Sequence, residues 1–222
     1  MNHIRPVLLT LAFTASMLLS ASIAVTPATA ASIQYSFTGD VGSIHTQLSS
    51  QFNTSQLMSG TMTVNTVDTF SPITNTTFGK YTITNFSLNI GGYTATMGTS
   101  GQVDIRNASL SGLDRFKMEV NAPNGLNVNF LAPRLFDFDL RGPNTQFGTD
   151  ALPTTVPSIA TFTDFNRWRL VFGPGNGHVV RGDMSSLTAV PLPAAVILFG
   201  AGLIALVGLG AGSRRQKKNT IA

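Results

Sequence analysis

The stretch FKMEVNAPNGLNVNFLAPRLFDFDL, residues 116–140, alternates apolar and polar side chains at both ends and carries a turn in its middle. Phe116, Met118 and Val120 recur at every second position, and so do Phe136, Phe138 and Leu140. A period of two puts all the large apolar groups of a run on one face of an extended strand and leaves the other face wet. Between the runs, Asn121 to Gly125 ends in Asn-Gly, a dipeptide that accepts the positive φ of a tight hairpin. Leu126, Val128 and Phe130 alternate again just beyond it, and are expected to form the partner strand of Phe116–Val120.

The same texture extends in both directions. Tyr35 and Phe37 alternate, as do Met62 and Val64 between Thr61 and Thr63. Tyr81 and Ile83 open a run that resumes at Phe86, Leu88 and Ile90 after a slip of one residue at Asn85. Val103 with Ile105, then Trp168, Leu170 and Phe172, then Val179, complete the set. Threonine suits the wet faces, because its branched Cβ tolerates extended backbone. Gly91-Gly92, Ser111-Gly112 and Gly173-Pro174-Gly175 supply further turns. Pro143 to Pro157 lacks alternation and reads as a long loop, and so does the Ser-, Asn- and Gln-rich stretch Thr46 to Leu57. Roughly nine or ten short strands at this spacing indicate an all-β domain, an antiparallel β-sandwich of jelly-roll type, with a closed barrel as the alternative.

The chain has 222 residues and no cysteine, which removes disulfides, thiolate metal sites and a cysteine nucleophile. Its formal charge of +4 comes from the ends. Between Ser32 and Ala189 nine bases against ten acids leave −1, and no basic run appears there, so nucleic acid is not an expected partner.

Both ends have the character of membrane-handling segments. Residues 1–30 combine Arg5, an apolar stretch from Val7 to Val25, and the small-x-small ending Ala28-Thr29-Ala30, the pattern of a secretory signal peptide cut before Ala31 by signal peptidase. At the other end, Ala194 to Gly212 is 19 residues free of charge. At about 1.5 Å per residue it spans roughly 28 Å as a helix, close to the hydrocarbon thickness of a bilayer. Arg214, Arg215, Lys217 and Lys218 follow and are expected to stay on the cytoplasmic side, leaving the domain outside. The expected organisation is a signal peptide over 1–30, the β domain over 31–184, a linker over 185–193, the membrane helix over 194–212 and a basic tail over 213–222.

The order of proline motif, apolar span and basic cluster resembles the PEP-CTERM family of bacterial sorting signals. The match is to the variant with Val190-Pro191-Leu192-Pro193-Ala194, without the Glu of the name-giving Pro-Glu-Pro. The resemblance implies a Gram-negative source, processing near the motif by an exosortase, and delivery to the cell surface or the extracellular polysaccharide matrix. The Asp150-Ala151-Leu152-Pro153 segment is loosely similar to cargo domains of that family.

Within the domain, chemistry-bearing residues are few. His45 and His178 are its two histidines, and no Gly-x-Ser-x-Gly elbow accompanies them, so catalysis is not expected. Asp137 and Asp139 share one face of a strand, opposite Phe136, Phe138 and Leu140. Such a pair can hold Ca²⁺, although a solvated face with Arg134 and Arg141 as ion-pair partners is the plainer expectation. Trp168, the single tryptophan, can stack on a sugar if exposed, but its phase with Leu170 and Phe172 points to the core. Arg181-Gly182-Asp183 reads as a turn before a Ser-rich linker. The expected role is an exported surface or matrix protein with a structural or interaction function, with a glycan-binding module as the alternative and a surface hydrolase behind it. No cofactor is expected beyond the Ca²⁺ option.

Overall fold

The computed structural model describes residues 32–70, 77–107, 112–175 and 177–190. The signal-peptide pattern with Ala28, Ala30 and Ala31 lies outside the described residues, as do Pro191, Leu192, Pro193 and Ala194, the apolar span 194–212, and Arg214, Arg215, Lys217 and Lys218. No helix among the described residues is long and apolar enough to cross a membrane.

The domain is all-β and antiparallel. Its strands are β1 (Ser32–Asp40), β2 (Ser43–Ile44), β3 (Leu57–Asp68), β4 (Phe78–Ile90), β5 (Tyr93–Thr96), β6 (Ser100–Arg106), β7 (Leu113–Asn121), β8 (Asn124–Gly125), β9 (Pro133–Pro143), β10 (Phe165–Phe172), β11 (His178–Gly182) and β12 (Met184–Val190). They form one sheet in the order β12-β1-β3-β4-β6-β7-β9-β10-β11-β2, with β5 paired to β4 and β8 paired to β5. The sheet curls so that its halves face each other. Tyr35 of β1 meets Phe116 of β7 edge-on at 5.8 Å between ring centroids, and Phe37 stacks on Phe136 of β9 at 5.9 Å. The alternating residues named above, from Tyr35 to Phe172, are buried in this shared core, with Leu126, Phe130 and Val179 as exceptions. Each large ring excluded from water contributes roughly 2–3 kcal/mol, which is why the pattern dominates the fold.

Local details follow from the residues. At Asn85 the pairing with β3 slips: Thr63 faces Asn85, but Val64 faces Ile83, which leaves Thr84 as the extra residue of a bulge. Phe86 then returns to the core side. Gly91 and Gly92 take φ of +55° and +95° in the β4–β5 hairpin. The loop after β9 contains Leu152, which is buried, and its carbonyls at Asp150 and Pro153 accept the hydroxyls of Tyr81 (2.9 Å) and Tyr35 (2.8 Å). This settles two phenols that would otherwise be buried without partners.

Three expectations are corrected. Residues 126–130 do not pair with β7, whose neighbours are β6 and β9. Val128 and Leu131 instead bond each other across Asn129 and Phe130, which take φ of +48° and +65°. This two-residue turn throws Phe130 fully into solvent and leaves Leu126 78% exposed, while only Val128 stays buried. On β11 the core residue is Val180, not Val179. Finally, residues 185–190 are not a linker: β12 pairs with β1 from Met184 to Val190, and Leu187 is in the core. Their Ser and Thr side chains occupy a wet strand face, bonding Ser36 and Thr38 of β1.

Candidate functional site

The two halves of the sheet have different outer faces. On β1, β3 and the second half of β4 the outward residues are Ser, Thr and Asn, for example Ser36, Thr61, Thr63, Ser87 and Asn89. On β6, β7, β9, β10 and β11 the outward phase is largely charged, with the apolar row Leu135–Val171–Val179 at one end. Cross-strand register arranges these residues in rows, because directly paired residues share a face.

One row runs Lys80–Asp104–Lys117–Asp139–Arg167 from β4 to β10. A second runs Thr82–Gln102–Glu119–Asp137–Arg169–Arg181–Ser43 from β4 to β2. A third runs Phe78–Arg106–Arg115–Arg141–Phe165. Eight of the nine bases of residues 32–190 stand in these rows, and only Arg134 lies elsewhere. The rows hold four acids, so the face carries +4, while the remaining base and six acids leave −5 on the rest of the domain. A domain of near-zero net charge is thus strongly polarised.

Asp137 and Asp139 do lie on one face, opposite Phe136, Phe138 and Leu140, but they are not solvated. They are 6% and 9% exposed, covered by the long side chains around them. Asp139 accepts from Arg115 Nε and Nη2 at 2.7 Å each, and from Arg141 Nη2 at 2.7 Å. Burial alone would raise the Asp139 pKa, but the hydrogen bonds from Arg115 and Arg141 outweigh it and hold the carboxyl below its usual range. Asp137 accepts from Arg169 Nε at 2.8–2.9 Å and pairs with its Nη2 at 2.7 Å. Hydrogen bonding to Asp137 raises the Arg169 pKa, as bonding to Asp139 raises that of Arg141. Both carboxylates are therefore committed to guanidinium groups, and a Ca²⁺ ion would have to displace three arginines. No cluster of three or more His, Cys, Asp or Glu suited to a metal occurs among the described residues. Arg134, expected as a partner, instead donates to the Gly175 carbonyl at 2.6 Å.

Asp104 differs from its neighbours. It is 7% exposed, and its Oδ1 has no hydrogen-bond partner among the described residues; the same is true of Arg106 Nε. Burial pushes the Asp104 pKa up, against the pull of Lys80, Lys117, Arg106 and Arg115. The third row adds aromatic surface. Arg106 sits 5.0 Å over the Phe78 ring, and Phe165 lies between the guanidiniums of Arg141 (4.9 Å) and Arg167 (4.8 Å). Lys80, Arg106, Arg167 and Arg181 have no carboxylate at ion-pair distance among the described residues.

The other sequence candidates lie elsewhere. Trp168 is fully buried, with Nε1 donating to the Asp40 carbonyl at 3.0 Å, so it offers no surface to a sugar. His45 and His178 meet edge to face at 4.8 Å between centroids, and Nδ1 of His178 lacks a partner among the described residues. Arg181-Gly182-Asp183 is the joint between β11 and β12, where any Cβ on Gly182 would run into the Asp40 carbonyl. Val190, the first residue of the sorting motif, closes β12 opposite Gln34.

A search for basic runs misses the charged face, because its bases are scattered from position 80 to 181. The available signal is the polar phase of each strand: Arg115, Lys117 and Glu119 alternate with the core, as do Arg167 and Arg169. The strands of the other half put Thr and Ser in that phase. No family model matches this chain, and neither a curated protein nor a solved structure matches it.

Proposed function

We propose that this chain is an exported bacterial surface or matrix protein, with a non-catalytic, structural or interaction role. In this reading its domain is a jelly-roll-like sandwich held outside the cytoplasm by the C-terminal span, or released from it after processing by an exosortase-like protease. One observation carries the reading. Within the described residues, β1 from Ser32 and β12 to Val190 are antiparallel neighbours at the edge of the sheet. Gln34 and Val190 are paired, so the first and last described strands bring the two ends of the described domain to the same side. That geometry suits a domain standing on a membrane with its opposite end free. The PEP-CTERM resemblance supports the destination.

The charged outer face favours a second reading, a glycan-binding module within the same matrix role. The sorting reading is tested by deleting Leu192 to Ala222 and fractionating cells. The truncated chain is expected in the periplasm or medium without surface retention. Unchanged surface retention would sink the sorting reading.

A further inference from the structure

The geometry points to the charged face as a binding surface for an acidic polysaccharide, a polymer whose carboxylate or sulfate groups repeat at even intervals. The inference deepens the matrix reading above and rests on it only for the choice of polymer: outside the cytoplasm the abundant polyanions are polysaccharides.

The first argument is charge that the protein does not itself neutralise. Lys80, Arg106, Arg167 and Arg181 have no carboxylate at ion-pair distance among the described residues, while Asp137 and Asp139 are absorbed by Arg115, Arg141 and Arg169. Those ion pairs hold the paired guanidiniums in place and so give the face a fixed shape. The second is periodicity. In the row Lys80–Asp104–Lys117–Asp139–Arg167, cations alternate with acids, so Lys80, Lys117 and Arg167 recur every second strand. At ordinary interstrand distance that is about 9.6 Å between like charges, a regular array that suits a regular polymer. The third is guanidinium surface at the margins. Phe78 and Phe165 end the third row beneath Arg106, Arg141 and Arg167, and the stacked rings hold those guanidiniums flat on the face, where they can meet carboxylate or sulfate groups. Finally, Asp104 Oδ1 and Arg106 Nε, both on β6, lack hydrogen-bond partners among the described residues. Buried polar atoms are rarely left so, and one acceptor beside one donor matches a sugar hydroxyl beside an acidic group. The polarity of the domain, positive on this face and negative elsewhere, orients an approaching polyanion toward it.

The test uses the full chain in non-ionic detergent micelles, with polygalacturonate, dextran sulfate, neutral dextran and duplex DNA as probes. Saturable binding to polygalacturonate or dextran sulfate is expected, weakening as NaCl rises from about 0.05 to 0.3 M and the screening length shortens. Arg167→Glu with Arg181→Glu should weaken it at least about tenfold, while Arg134→Glu, the base off the face, changes it less than about twofold. Circular dichroism melts of each variant separate lost binding from lost folding. The proposal is overturned by no binding, by equal binding to neutral dextran, by tighter binding to DNA than to either acidic glycan, or by an Arg134→Glu loss as large as that of Arg167→Glu made alone. Cell fractionation of the same strains reads the export reading separately: a chain retained in the cytoplasm would defeat that reading whatever the binding assay returns.

Discussion

Trp168, itself fully buried, donates its indole N–H to the backbone carbonyl of Asp40 at 3.0 Å, and this ties β10 to the end of β1. The ring also lies against Phe136 at 6.3 Å between centroids. Trp168→Ala removes both packing and a hydrogen bond, and should cost about 3–5 kcal/mol of stability. Trp168→Phe keeps most of the packing and should cost less than Trp168→Ala. Urea melts followed by far-UV circular dichroism distinguish the two. A Trp168→Ala protein with unchanged stability would contradict the buried placement.

Asp139 between Arg115 and Arg141 is the most strongly paired carboxylate of the charged face. Its folded-state pKa is depressed, so its stabilisation is present above the unfolded value of about 3.9 and is lost as pH falls through the folded value. Asp139→Asn should therefore destabilise the domain by about 1–3 kcal/mol at pH 7, leaving two guanidiniums half-covered and unpaired. The difference from wild type should shrink when the melts are repeated at acid pH. A penalty that does not depend on pH would assign the effect to packing instead.

The three tyrosines make a direct probe of alkaline stability. Burial pushes Tyr93 up to about 12, and burial with the nearby charges of Asp68 and Asp150 takes Tyr81 up to about 12; burial raises Tyr35 as well. A raised folded pKa means stability is fully present below the unfolded value of about 10 and is lost as pH rises toward 12. The chain contains only these three tyrosines, so the ultraviolet phenolate titration of the folded protein should stay flat through pH 10. The same titration in urea should show an ordinary transition. A phenolate signal at pH 10 without unfolding would contradict the burial of the ring that titrates.

Phe130 is fully exposed and held at φ +65° between the mutual hydrogen bonds of Val128 and Leu131. An aromatic side chain gains nothing from burial there and resists the left-handed backbone. Phe130→Gly should raise stability by about 0.5–1 kcal/mol, measured as the shift in the urea midpoint. A loss of stability would mean that the ring is covered in the protein as it exists in solution.

Much of the fold was legible because a strand with one buried face records its phase in every second residue. Phe116, Met118 and Val120, or Phe136, Phe138 and Leu140, lie in the core where that phase puts them, and the slip at Asn85 is a real bulge. The alternation misled at Leu126, Val128 and Phe130, because period two describes side-chain order and does not report the backbone sign of φ. Asn129 and Phe130 turn left-handed there, and a corner has the same apolar spacing as a strand. Ser185 and Ser186 misled in the opposite sense, since a wet strand face and a linker share a composition. By itself the sequence determined the all-β class, the core phase of most strands and the pattern of the two end segments, because each is written in residues close together along the chain. Only the tertiary structure decided the charged rows, the arginine partners of Asp137 and Asp139, and the meeting of Gln34 with Val190. Those depend on strand order and register, which bring together residues as far apart in sequence as Ser43 and Arg181, and no local pattern encodes such distances.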